Sequence, residues 1–331
     1  MSGPNSRRQF MGGVGAAACL SILPSCAHRR QSRRTPRIGY LTGASFPILT
    51  AAFREELRRL GYVEGQNLIL ELRESRPNSD DGEAHAAELA AMDLDLIVAA
   101  SLDQALAVRS RNPNMPMVIG TGPDLVGNGF AKSLEHPGGN VTGTDELPPG
   151  VTGRRLTLLK AAAPHISRVA LLSTTPGVVA HEIQVADAQA AAARLGVTVS
   201  TYRASSLPEL EVALAAIVSD KMDGLVNFQG GLSVVNRQLI IDTLRQHRIA
   251  AIYQSKRFAI SGGLMALSPD QEEQFRDAAR YVDQILKGAK PGDLPIKYPS
   301  KYFLTVNATA ARDIGLTLPQ AFLAQADSVL N

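Results

Sequence analysis

Cysteine is nearly absent from this chain. Its 331 residues hold two, Cys19 and Cys26, both ahead of residue 27. The body therefore has no disulfide framework, no thiol catalysis and no cysteine-rich zinc site. Long apolar runs are missing too. Beyond residue 25 none approaches the ~20 residues that span a bilayer, which excludes a polytopic membrane protein. The six histidines (28, 85, 136, 165, 181 and 247) never stand three or four apart, so no helical metal-ligand pair exists and no metal is expected. No G-x-S-x-G elbow, Walker A loop or dinucleotide fingerprint is present. The sequence offers no reaction and no cofactor, and reads as a non-enzyme.

Basic residues are scarce where they would matter. Of 34 Lys+Arg, six arginines lie in residues 1–34, which hold no acid. Residues 35–331 are left with 28 bases against 31 acids. Nucleic-acid binding needs a basic stripe on the fold itself, and a mildly acidic body supplies none. Hydrophobic residues at 45 % and charged residues at 20 % are ordinary for soluble proteins and leave enough apolar surface for two cores.

The N-terminus carries the most specific local signal. Ser6-Arg7-Arg8-Gln9-Phe10-Met11 reads as a twin-arginine export signal, followed by a short, weakly apolar stretch to Leu23. Leu23-Pro24-Ser25-Cys26 is similar to a lipobox. Two readings stand for Cys26: lipidation, which would tether the protein to a membrane, or ordinary leader cleavage near residues 26–35. Residues 1–34 are thus read as export leader and basic linker, and the protein as periplasmic or anchored facing the periplasm.

From Arg37 onward, strand and helix patterns alternate. Apolar runs at 38–41, 95–100 and 116–119 alternate with helical periodicity over 48–60, 81–91 and 102–110. The alternation restarts after Leu147-Pro148-Pro149-Gly150, with strands near 168–172, 197–202, 223–228 and 250–253, and helices over 153–162, 179–195, 207–219 and 232–247. This order predicts an α/β protein of two doubly wound parallel-sheet lobes joined by a hinge.

In such sheets ligands gather at the carboxyl ends of the strands. Those ends are polar or small here: Thr42-Gly43-Ala44-Ser45-Phe46, Ser101-Leu102-Asp103, Gly120-Thr121-Gly122-Pro123-Asp124, Ser173-Thr174, Asn227-Phe228-Gln229 and Tyr253-Gln254-Ser255. Two facing lobes would enclose a small ligand. Its carboxylate would sit on helix N-termini and hydroxyls, and an ammonium on Asp124 or Asp270. Each such residue, taken singly, is also an ordinary helix cap.

Several stretches are distinctive. They include Phe53-Arg54-Glu55-Glu56-Leu57-Arg58-Arg59-Leu60-Gly61-Tyr62, His136-Pro137-Gly138-Gly139-Asn140-Val141-Thr142-Gly143, Gly262-Gly263-Leu264-Met265 and Ile285-Leu286-Lys287-Gly288-Ala289-Lys290-Pro291. On these motifs the chain resembles exported ABC-transporter substrate-binding proteins of the tryptophan- and tyrosine-binding type. The resemblance runs from about Arg37 to the C-terminus and implies the type I periplasmic-binding fold. It implies lobe one over 37–144 plus 264–298, and lobe two over 145–263 plus 299–331. It further implies an amino acid or related ligand between the lobes, a permease with its ATPase as partners, and a monomer. An exported sensor partnering a membrane kinase is the alternative. The ligand-binding candidates are Thr42, Ser45, Phe46, Ser101, Asp103, Gly122, Asp124, Thr174, Asn227, Gln229, Tyr253, Ser268 and Asp270. Asp124 occupies the family's Asp-Pro-Val position with Leu125 in place of proline, and Ala266-Leu267-Ser268 replaces the usual Ser-Tyr-Gly. The departures fall where a ligand should be touched.

Overall fold

The computed structural model describes residues 34–43, 47–76, 81–174, 179–228 and 230–331. The twin-arginine pair Arg7 and Arg8, Cys26, Ser45, Phe46 and Gln229 lie outside these.

The first sheet grows from five short runs. They are β1 (Arg37–Gly43), β2 (Ile69–Ser75), β3 (Leu96–Ala99), β4 (Met117–Gly122) and β5 (Val141–Asp145). All are parallel, in the order β2-β1-β3-β4-β5. The connecting helices are α1 (Pro47–Arg59), α2 (Asp81–Ala91) and α3 (Leu102–Arg111). Alternate strand residues enter two cores, as the period of two requires. Ile38, Tyr40, Val98 and Val118 pack with Phe53 and Leu57 of α1. Leu41, Ile97, Ala99 and Ile119 pack with Leu89 and Val108 of α2 and α3. Covering both faces makes β3 and β4 wholly buried, which is why they read as unbroken apolar runs.

The second sheet has seven strands among the described residues. The chain runs α4 (Val151–Ala162), β6 (Arg168–Ser173), α5 (Val179–Leu195), β7 (Thr198–Arg203), α6 (Leu207–Ser219), β8 (Gly224–Asn227), α7 (Gly231–Val235), α8 (Arg237–Gln246), β9 (Ala250–Tyr253), α9 (Lys256–Ile260) and β10 (Met265–Pro269). The single helix expected over 232–247 is two, divided at Asn236.

The chain then returns to the first sheet. Helix α10 (Gln271–Leu286) starts at Asp270, whose carboxylate accepts the Glu273 N–H at 3.1 Å. Its Phe275, Ala278, Ala279 and Val282 join the core under α1. A last crossing over 297–301 leads to β11 (Tyr302–Asn307), α11 (Ala308–Asp313), α12 (Gln320–Leu323) and β12 (Ser328–Leu330). Strand β11 pairs antiparallel with β10, an exception to the expected parallel sheet.

One expected boundary differs. Residues 265–269, read as part of lobe one, pair as β10 with β9 and β11 in the second sheet. A buried apolar strand carries no local mark of the sheet it joins, and only the helix after Asp270 belongs with the first.

Two of the distinctive motifs meet in space. Gly138 N–H donates to Gly292 O at 2.9 Å, and a Cβ on Gly292 would stand 2.3 Å from Gly139 O. The Gly292 backbone admits no side chain at this joint, and Gly138 takes the left-handed φ of 69° that favours glycine.

Candidate functional site

The carboxyl ends of both sheets border one cavity of about 60 Å³. From the first sheet come Ala100, Ser101, Leu102 and Asp103 after β3, Thr121 and Gly122 at the end of β4, and Pro123 after it. From the second come Gly230, Gly231 and Val234 after β8, and Ser255 after β9. Leu49, Gln271 and Phe275 complete the wall. That space takes several water molecules, at roughly 10–15 Å³ each.

Asp103 is the acid that opens into it. Ser101 caps α3, its Oγ accepting from Gln104 N at 3.5 Å, and this sets Asp103 in the first turn. The Asp103 carboxylate faces Gly231 of the opposite lobe, where a Cβ would lie 3.2 Å from its Oδ2. The side chain is exposed where it borders the cavity, with the opposite lobe beside it. Enclosure pushes its carboxyl above the ordinary carboxylate range, partly offset by the Gly231 N–H.

A second acid stands at the crossing. Glu146 N–H donates to Gly122 O at 2.9 Å, while its own carbonyl accepts the Tyr302 hydroxyl at 2.7 Å, so the residue is tied to both sheets. Burial pushes its carboxyl up, opposed by the neighbouring Thr121 and Gln274 side chains and by the Arg155 charge. Arg155 is itself buried, and burial lowers it. Its Nε and Nη2 both donate to Leu267 O at 3.2 Å.

Buried side-chain atoms without a hydrogen-bond partner concentrate at these strand ends. They include Oγ1 of Thr42, Thr121 and Thr174, Oε1 of Glu146, and both amide atoms of Asn227, Gln254 and Gln274. Native structures rarely leave such groups unmatched, so water or ligand is due there.

Among the sequence candidates, Ser101, Asp103 and Gly122 come together in the cavity wall. Thr42, Thr174 and Asn227 lie buried at strand ends with unmatched polar atoms. Four candidates sit elsewhere. Asp124 has φ 49° and turns its carboxylate onto Gly127 N at 2.9 Å, closing its own loop, while Asp145 holds the Asp124 and Leu125 N–H groups. Asp270 is the exposed cap of α10 and borders a separate hollow with Lys297, Tyr298 and Phe303. Neither lines the cavity, whose wall holds Asp103. Tyr253 is buried in the second core, stacked on Phe258 at 4.4 Å. Ser268, also buried, is a β10 residue opposite Phe303. Gln271 and Phe275 were not singled out, because their helix belongs to a lobe that the order of elements does not announce. Among the described residues no group of three His, Cys, Asp or Glu gathers as a metal site.

Two facing α/β sheets with a cavity between their carboxyl edges define a two-lobed binding protein. The family model described as ABC transporter substrate binding protein matches residues 41–330, and the chain belongs to that family. The tyrosine-binding protein of Clostridioides difficile (strain R20291) is 25 % identical over 271 residues, covering 81 % of this chain and 77 % of that protein. The ABC domain from Streptococcus pneumonia in complex with L-Trp has a TM-score of 0.82 at 23 % identity, covering 90 % of this chain and 100 % of that one. The ligand-free, open structure of the substrate-binding protein CD0873 from Clostridium difficile has a TM-score of 0.63 at 23 % identity, covering 89 % and 99 %. The fold is the type I periplasmic-binding one.

Proposed function

We propose that this chain is an extracytoplasmic receptor that captures an amino acid of the aromatic kind and hands it to an ABC permease and its ATPase. One observation carries the reading: Asp103 of one lobe opens into the cavity and faces Gly231 of the other. A ligand ammonium replaces water at that carboxylate as a charge-assisted hydrogen bond. The ligand carboxylate lies toward the N-terminal end of α3, beside Ser101, where backbone N–H groups and the helix dipole favour an anion. Leu49, Leu102, Val234 and Phe275 offer an apolar wall to the side chain.

The named relatives supply the aromatic class. At equal identity the chain superposes better on the L-Trp complex than on the open, ligand-free protein. That supports a closed arrangement of the lobes here, with hinge opening needed to admit a whole aromatic amino acid. The twin-arginine leader ending near Cys26 supports delivery across the membrane.

The test is a thermal-shift panel from glycine to tryptophan, run on protein unfolded and refolded to strip any carried ligand. A large rise of the melting midpoint with aromatic amino acids, and little with sugars or purines, is expected. A panel with no amino-acid response, together with release of a non-amino-acid compound from the freshly purified protein in mass spectrometry, defeats the reading. Retention of a tagged full-length chain in the cytoplasm defeats the export part separately.

A further inference from the structure

Two direct side-chain contacts join the lobes beside the cavity. Ser255 follows β9 in the second sheet, and its hydroxyl donates to Gln271 Oε1 at 3.2 Å. Gln271 opens α10, whose Phe275, Ala278 and Ala279 sit in the first core. Both residues line the cavity and are buried, Ser255 at 2 % exposure and Gln271 at 6 %. At the next residue of each segment, Lys256 Nζ stands 3.2 Å from Glu272 Oε1. These two side chains are 42 % and 27 % exposed. A buried hydrogen bond in the cavity wall is thus backed by a partly exposed ion pair.

The charges around the outer contact attract across the cleft. The second lobe presents Lys256 and Arg257 in the first turn of α9, and Arg257 also feels the Glu272 charge. The first lobe presents Glu272, with Arg276 of the same helix 3.8 Å from its Oε2. Glu273 holds Arg276 more closely, at 3.1 Å, so the nearer cation to Glu272 is Lys256 of the other lobe.

Parting the lobes breaks both contacts. A hydrogen bond at 3.2 Å is gone once its atoms stand about 3.6 Å apart, so a small turn at the crossing beside Asp270 suffices. The two contacts answer differently to salt. The ion pair is screened, because the Debye length shrinks from about 10 Å at 0.1 M to about 3 Å at 1 M. The buried hydrogen bond joins neutral groups and is not.

We propose that Ser255–Gln271 and Lys256–Glu272 form a clasp that holds the lobes shut over the cavity, and that its ion pair makes opening depend on ionic strength. The clasp goes beyond the assignment of an aromatic ligand and acts on whatever small molecule the cavity takes. An exposed ion pair favours the closed state by up to about fivefold, and a neutral hydrogen bond by about two- to tenfold. Both factors are small enough for the lobes to part and exchange a ligand.

The experiment is hydrogen exchange, read by mass spectrometry, on the ligand-stripped full chain. Segments 100–104 and 230–235 border the cavity, and their amides exchange at a rate that follows the open fraction. Lys256→Met keeps the stem, removes the charge, and is expected to speed these segments by about two- to fivefold. Ser255→Ala should speed them by about two- to tenfold. Strand β6, inside the second core, serves as reference and should not change. Raising salt from about 0.1 M to about 1 M should speed the parent by up to about fivefold and Lys256→Met by clearly less. Glu272→Gln added to Lys256→Met should change little more, since the pair is already broken. An unchanged rate in Lys256→Met, or a parent indifferent to salt, overturns the role of the ion pair. An unchanged rate in Ser255→Ala as well, or equal acceleration of β6, overturns the clasp as a whole. L-tryptophan, added last, tests the amino-acid reading separately. Exchange that it does not slow at any concentration counts against that reading and leaves the clasp standing.

Discussion

Replacing Asp103 by asparagine separates the charge of the cleft acid from its shape. Asp103→Asn keeps an oxygen for the Gly231 N–H and removes the anion meant for the ligand ammonium. Loss of one partner from an enclosed, hydrogen-bonded charge pair costs about 3 kcal/mol, or roughly 160-fold in dissociation constant. At a ligand concentration of ~1,000 times the parent constant, bound ligand stabilises the parent by about 4 kcal/mol. The same concentration stabilises the variant by about 1 kcal/mol. At roughly 2–4 °C per kcal/mol, the ligand-induced rise falls from about 8–16 °C to about 2–4 °C. The unliganded protein moves the other way. The Asp103 carboxyl is raised by enclosure in the folded state, so the folded chain binds more protons than the unfolded one just above the ordinary carboxylate value. Stability therefore falls as pH rises through that window, and the loss persists at neutral pH. Asparagine removes this slope, so the unliganded variant should melt no lower than the parent at pH 7. Differential scanning fluorimetry at pH 4 to 8, with and without ligand, reads both effects. A variant that keeps the full ligand shift, or that melts several degrees below the parent without ligand, refutes the assignment of Asp103.

Two structural predictions accompany it. Arg155→Ala removes two donors from Leu267 O and strips buried Glu146 of its cation, so stability should drop by about 3 kcal/mol, read as the denaturant midpoint in urea. Glu146→Gln combined with it should recover part of that loss, which a simple packing defect at Arg155 would not allow. Gly292→Ala drives a methyl to 2.3 Å from Gly139 O and should cost about 1–3 kcal/mol; an unchanged urea midpoint would show that the joint yields freely.

Much of the fold was legible because wholly buried parallel strands must be apolar on both faces. Leu96–Ala99 and Ala250–Tyr253 announce themselves for that reason. The caps at Ser101 and Asp270 were legible as helix starts. Connectivity was less so. Nothing in Met265–Pro269 distinguishes joining the second sheet from joining the first, since pairing partners are set by tertiary packing. The break at Asn236 left no proline or glycine to mark it. For the cleft, strand-end polarity located Ser101, Asp103 and Gly122, but could not tell an acid that lines the cavity from one that closes its own turn. All three acids follow strand ends, but Asp124 accepts Gly127 N–H in its own loop and Asp270 caps α10, whereas Asp103 stands in the first turn of α3 and lines the cavity. Tyr253 failed through the pleat: at the end of β9 its ring turns to the core against Phe258.

The chain passes between the two sheets three times: after β5, at Asp270, and over 297–301. Neither lobe is therefore a contiguous stretch of sequence. A cut near residue 146 frees no complete lobe, because the first sheet would lose α10 from its core. The same arithmetic governs inheritance. A relative's lobe can be transplanted only by exchanging separate blocks together, each ending at a crossing. Specificity in this architecture is thus expected to change by substitution at strand ends rather than by swapping halves.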